Sequence, residues 1–178
     1  MTDKRLLLPF LFIPAAAAMY LILKLRTDDV LTICRALALI GFGFTAAYID
    51  LRMRKVPNRL VLALLVIWLA LTAVHIIIAI EPALSVLVQS LIAGAAAGGF
   101  FLFIYMVSRK GIGGGDVKLF AVIGLYMTFT KVMQILFFCS LLTVLVSAVL
   151  LITKRATMKS AIPLVPFLYI GMLIVLYM

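Results

Sequence analysis

Long apolar runs alternate with short polar connections along the whole chain. A helix that crosses the hydrocarbon core of a bilayer needs roughly 20 mostly apolar residues. Seven runs approach that length: Leu6–Leu23, Val30–Ile49, Leu60–Ile80, Leu84–Val107, Val117–Thr130, Val132–Ile152 and Ile162–Met178. The pattern predicts an all-α, polytopic transmembrane bundle of seven helices. The fifth run is short, and Lys131 alone marks its boundary with the sixth. The first run follows Lys4 and Arg5 as a signal peptide would, but Met19–Leu23 carry it on to spanning length, so a retained helix is expected. The whole reads as one membrane domain, with an additional N-terminal helix and outer loop (1–29) before a six-helix core (30–178).

Composition agrees with a bilayer as solvent. Of the 178 residues, 67% are hydrophobic and only 12% are charged, too few to give a soluble domain its polar shell. The net charge of +10 does not mark a nucleic-acid partner, because the basic residues fall in short clusters between apolar runs. With the N-terminus inside, twelve basic residues fall on the inner side: Lys4 and Arg5; Arg52, Arg54, Lys55 and Arg59; Arg109, Lys110 and Lys118; and Lys154, Arg155 and Lys159. Three, Lys24, Arg26 and Lys131, fall outside, and Arg35 lies within the second run. This is the bias of cytoplasmic loops, and it places the N-terminus in the cytoplasm. Cys34 and Cys139 are isolated in apolar segments and read as packing residues, with no paired spacing for a metal or a redox centre. Gly94 and Gly98 form a GxxxG pattern that reads as close helix contact within one subunit, and Gly41 and Gly43 thin the second helix. His75, Gln89 and Gln134 read as hydrogen-bonding residues between helices. The residues specify no oligomeric state.

Six acids remain, and their positions narrow the chemistry. Asp3, Asp28, Asp29 and Glu81 lie at the terminus or in connections. Asp50 and Asp116 each abut an apolar helix, one at an inward end and one at an outward start, so the topology puts both at the same face. Asp50 opens a segment that reaches Val56-Pro57-Asn58, where Pro57 is expected to begin the next helix. Asp116 closes Gly111-Ile112-Gly113-Gly114-Gly115, whose glycines leave room for another chain to approach. Read singly, Asp116 also fits an N-cap, and Asp50 an interfacial charge paired with Arg54 or Lys55. The glycine run lacks the GK[ST] ending of a phosphate loop.

Taken together these segments resemble the GxGD aspartic membrane peptidases, and within them the type IV prepilin peptidases. Gly111 to Leu119 is similar to the pattern G-x-G-x-G-D-x-K-L, and Ile49-Asp50 with Val56-Pro57-Asn58 and Leu60 to I-D…I-P-N/D-x-L. Pro163 with Pro166-Phe167-Leu168 and Gly171 is similar to the terminal P-F-x-P-F-L-x-x-G, with Leu164 in place of the usual Phe. The chain lacks the paired CxxC motifs of the methylating members and resembles the short, peptidase-only branch of tight-adherence (Flp-type) pilus systems.

The resemblance implies hydrolysis of a prepilin or pseudopilin leader at the cytoplasmic face of the inner membrane, with Asp50 and Asp116 as catalytic acids. Gly111, Gly113, Gly114, Gly115, Lys118, Pro57, Asn58, Pro163 and Pro166 would shape the site or bind substrate. Two carboxylates a few ångströms apart share a proton, and that chemistry calls for no metal or cofactor. Lys118 reads equally as a membrane anchor. The rival readings are a small transporter or channel using the two acids for cations or protons, and a non-catalytic assembly subunit.

Overall fold

The computed structural model describes residues 29–107, 113–153 and 163–178, with isolated helical positions between 15 and 24. The first predicted span, Leu6–Leu23, otherwise lies outside the described residues. Six helices follow: α1 (Val30–Met53), α2 (Asn58–Ile78), α3 (Ile80–Val107), α4 (Gly114–Tyr126), α5 (Phe129–Ile152) and α6 (Val165–Tyr177). No strand occurs among the described residues. α1, α2, α3 and α5 are long and apolar enough to cross a membrane. α4 and α6 have 13 residues each, about 20 Å of helix at 1.5 Å per residue.

Most boundaries match the apolar runs, and the differences have local causes. α1 runs past Ile49 to Met53, so Asp50 belongs to the helix rather than to the loop. α3 begins at Ile80 and takes Glu81 and Pro82 into its first turn, where a missing proline N–H costs nothing. Only Ala79 separates it from α2. α4 ends at Tyr126, and Met127-Thr128 make the turn, which moves Lys131 into the first turn of α5.

Bulky apolar side chains cover the outside, among them Ile77, Val144 and Ile152, as a lipid-facing surface requires. Lipid tails are as apolar as leucine, so helices are held together by close van der Waals contact and hydrogen bonds rather than by the hydrophobic effect. α4 shows how. A Cβ added at Gly124 would lie 2.8 Å from both the Ala93 carbonyl oxygen and the Gly94 Cα, and one at Gly98 would lie 2.8 Å from the Ala121 Cβ. The GxxxG face of α3 is therefore spent on α4 of the same chain, as expected. Phe101 stacks on Phe120 across the same interface at 3.6 Å between centroids. The Tyr126 hydroxyl donates to the Leu64 carbonyl at 2.6 Å and ties α4 to α2. Gly43 of α1 faces Met172 and Tyr169 of α6, whereas Gly41 has no neighbour within 4 Å. Cys139 is buried, but Cys34 is exposed on the outer face and not packed inside as expected.

Candidate active site

Asp50 lies in the last turn of α1 and is only 4% exposed. The helix stops just beyond it because Arg54 turns into the left-handed region (φ 51°), where its N–H caps the Asp50 carbonyl at 2.8 Å. The Asp50 carboxylate reaches across to the start of α6, where Oδ2 accepts the Val165 N–H at 3.2 Å. The sequence of α6 makes that donor available. Pro166 has no N–H, and the N–H groups of Phe167 and Leu168 both bond the Leu164 carbonyl. The first N–H of a helix has no partner within it and sits at the positive end of the helix dipole, so a carboxylate is a fitting acceptor. Arg54 is also within electrostatic reach of Asp50.

Asp116 lies in the first turn of α4, just before the apolar stretch that begins at Val117. It is not the N-cap. Gly113 holds that place, and the Asp116 N–H donates to the Gly113 carbonyl at 3.0 Å. The Asp116 carboxylate folds back and accepts the Gly113 N–H, which is one half of a capping box. Burial pushes its pKa up to about 6, the negative charge of Asp50 adds to the rise, and the Gly113 N–H opposes it. The two acids thus meet at one end of the bundle, close enough for one charge to act on the other.

Gly115 makes this approach possible. A Cβ there would lie 2.8 Å from the Val56 carbonyl oxygen, so the loop after α1 rests directly on the first turn of α4. Lys118 Nζ donates to Asn58 Oδ1 at 3.3 Å, a second tie between the two aspartate segments. Pro57 is the N-cap of α2 and Asn58 its first residue, one position later than expected. Gly114 has open space around its Cα, and a Cβ on Gly113 would touch the Asp116 carboxylate at 3.2 Å. Pro163 and Pro166 bracket Val165 beside Asp50. Gly111 lies outside the described residues. Residue types alone missed Val165 and Val56, because both contribute main-chain atoms. The spacing of Pro163 and Pro166, which isolates a free N–H at the head of a helix, is the signal that points to Val165.

Beside these residues, a largely apolar open groove of about 530 Å³ runs between α2 and α4, lined by Val61, Leu62, Leu65, Ala121 and Val122, with Asn58 and Lys118 at its polar end. Among the described residues no group of three or more His, Cys, Asp or Glu side chains is placed to hold a metal ion.

Helices with apolar outer faces, joined by short loops and enclosing two acids at one end, define a polytopic membrane protein with a dicarboxylate site. The chain belongs to the type IV leader peptidase family, whose model matches residues 37–149, a stretch that contains both Asp50 and Asp116. It is 31% identical over 137 residues to the prepilin leader peptidase/N-methyltransferase of Bacillus subtilis (strain 168), across 76% of this chain and 52% of that protein. The chain therefore spans about half the length of the curated relative it matches. No solved structure matches it.

Proposed function

We propose that this protein is a membrane-embedded aspartic endopeptidase that removes the basic leader from type IV prepilin-like precursors of the Flp/Tad type. The observation that carries the reading is the convergence of Asp50 and Asp116, from distant parts of the sequence, at one end of a bundle in a leader peptidase family. The name of the Bacillus subtilis relative supports a prepilin substrate. The excess of Lys and Arg in connections on the aspartate side supports a cytoplasmic face of the inner membrane as the place of cleavage.

The proposed mechanism gives the shared proton to Asp116, on which the Asp50 charge acts. Water attacks the scissile carbonyl carbon, giving its proton to Asp50 while Asp116 protonates the carbonyl oxygen. In the second step Asp50 returns that proton to the amide nitrogen as the C–N bond breaks. Asp116 recovers a proton from the diol, and both acids regain their starting states. The Val165 N–H orients Asp50, and the Gly113 N–H orients Asp116. Gly113, Gly114 and Gly115 keep the approach low for an extended peptide, and the groove between α2 and α4 suits the apolar segment that follows the cut.

The test uses the full chain, purified in detergent, with a prepilin-like precursor. Cleavage that is lost in both Asp50→Asn and Asp116→Asn, with thermal unfolding retained, supports the dyad. Retained cleavage in either variant ends it. Cation-coupled uptake into vesicles that is lost in the same variants would favour the transporter instead. Cysteine labelling from each side of the membrane reads the orientation separately.

A further inference from the structure

A second cavity, with mixed polar and apolar lining, lies at the end of the bundle remote from Asp50 and Asp116. It has a volume of about 250 Å³ and is lined by Arg35 of α1, His75 in the last turn of α2, Ser90 of α3, Tyr126 at the end of α4 and Lys131 in the first turn of α5. Two of these residues carry buried nitrogens: Arg35 Nε and His75 Nδ1 have no hydrogen-bond partner among the described residues. Thr72 Oγ1 and Trp68 Nε1, one and two turns before His75 in α2, are buried and unpartnered as well. The Tyr126 hydroxyl is already committed to Leu64. Asp29, exposed at the mouth, is the one acid in the lining.

A buried N–H without an acceptor is costly, and more so on a guanidinium surrounded by apolar helices. The interhelical hydrogen bond expected of His75 does not account for its unpartnered Nδ1. We propose that this cavity binds a phosphate-bearing anion. A tetrahedral oxyanion presents several acceptor oxygens at once, to the Arg35 guanidinium, the Lys131 ammonium and the His75 ring. Arg35, His75, Tyr126 and Lys131 lie within two turns of helix ends, and a phospholipid headgroup and free phosphate would offer them the same chemistry. The site is distinct from the proposed peptidase site and uses none of its residues.

The experiment measures thermal unfolding and native mass spectra of the full chain in detergent with three probes: dihexanoyl phosphatidylglycerol, inorganic phosphate and dihexanoylglycerol. A saturable rise in Tm with either phosphate-bearing probe, and none with dihexanoylglycerol, is expected. Phosphatidylglycerol acting alone identifies a headgroup site, and phosphate acting as well identifies a site for the free ion. Arg35→Gln and Lys131→Gln should each weaken binding about tenfold or more, the loss of one charge-assisted contact. Lys55→Gln, the same charge change at the aspartate end, should bind as the wild type does. Lys131 is exposed, so its variant gives a reading even if Arg35→Gln does not fold. The proposal is overturned if neither phosphate-bearing probe binds, if dihexanoylglycerol works as well, or if the folded cavity variants bind like the wild type. None of these readouts involves peptide cleavage, so the two proposals stand or fall separately.

Discussion

At one end of this bundle a buried acid and a half-buried one converge beside a basic loop; at the other, an arginine is half-buried beside a cavity. Arg52, Arg54 and Lys55 follow Asp50 at the end of α1, whereas Asp29 is the N-cap of α1 and lines the cavity with Arg35. The ends differ in how the buried groups are satisfied. The Asp50 and Asp116 carboxylates accept main-chain N–H groups at the heads of two helices. Arg35 Nε and His75 Nδ1 have no such partner. Main-chain donors fix a carboxylate's position without depending on a flexible side chain, as an acid–base pair requires.

The sharpest way to break this comparison is to neutralise each end in turn. Asp50→Asn or Asp116→Asn should lower the rate of precursor cleavage by about a thousandfold or more, since each removes a proton-transfer group. Arg35→Gln should leave cleavage within about twofold. Equal losses at both ends, measured as kcat/KM with purified protein, would mean that the two ends work as one unit.

Main-chain packing gives the next largest effect. Gly115→Ala puts a Cβ 2.8 Å from the Val56 carbonyl oxygen, a main-chain atom that cannot rotate away. Overpacking of this kind costs about 1–3 kcal/mol. It should also separate the Asp50 loop from α4 and cut cleavage at least about tenfold. Gly114→Ala meets nothing within 4 Å and should not lower Tm. Thermal unfolding of the two variants side by side reads the difference.

How much of this was legible in the residues depends on which atoms do the work. The four longest helices follow from apolar run length, because bilayer thickness imposes that length directly, whereas α4 and α6 fall short of it. Asp50 and Asp116 stood out because so few acids occur in so apolar a chain. What the pattern missed is main-chain chemistry: the Val165 N–H on Asp50, the Val56 carbonyl on Gly115, and Gly113 rather than Asp116 as the N-cap. These contacts depend on how far each helix extends and on its rotation, which an apolar run leaves open by several residues. Arg35 was visible as an ionisable residue inside a span, but the cavity around it needs six helices in place.

A smaller effect separates the dyad from two independent acids. The Asp116 pKa is raised to about 6, so its carboxyl is neutral below that pH and ionised above it. If Asp116 is the proton donor, cleavage should fall as pH rises through about 6. The folded protein also holds this proton more tightly than the unfolded chain does, so the raised pKa lowers stability as pH climbs from about 4 to 6. Asp116→Asn should therefore be inactive yet more stable than the wild type at pH 7, by about 1 kcal/mol after allowance for partial exposure. In Asp50→Asn the Asp116 titration, followed by carboxyl infrared absorption, should move down, because one of the two causes of its rise is gone.

The smallest effect comes from two adjacent glycines on α3, and it tests whether the bundle is packed as described. Gly98 and Gly99 have the same intrinsic helix propensity, so alanine at either position should gain about 0.5–1 kcal/mol from the backbone alone. Their surroundings are opposite. A Cβ at Gly98 meets the Ala121 Cβ of α4 at 2.8 Å, and one at Gly99 meets nothing within 4 Å. Gly99→Ala should raise Tm slightly, while Gly98→Ala should lower it and, by pushing on the helix that carries Asp116, slow cleavage too. If the order were reversed, or if Gly99→Ala changed the oligomeric state, the outer face of α3 would be a contact between copies, and the position of α4 beside Asp50 would owe less to the GxxxG stripe than its close contacts indicate.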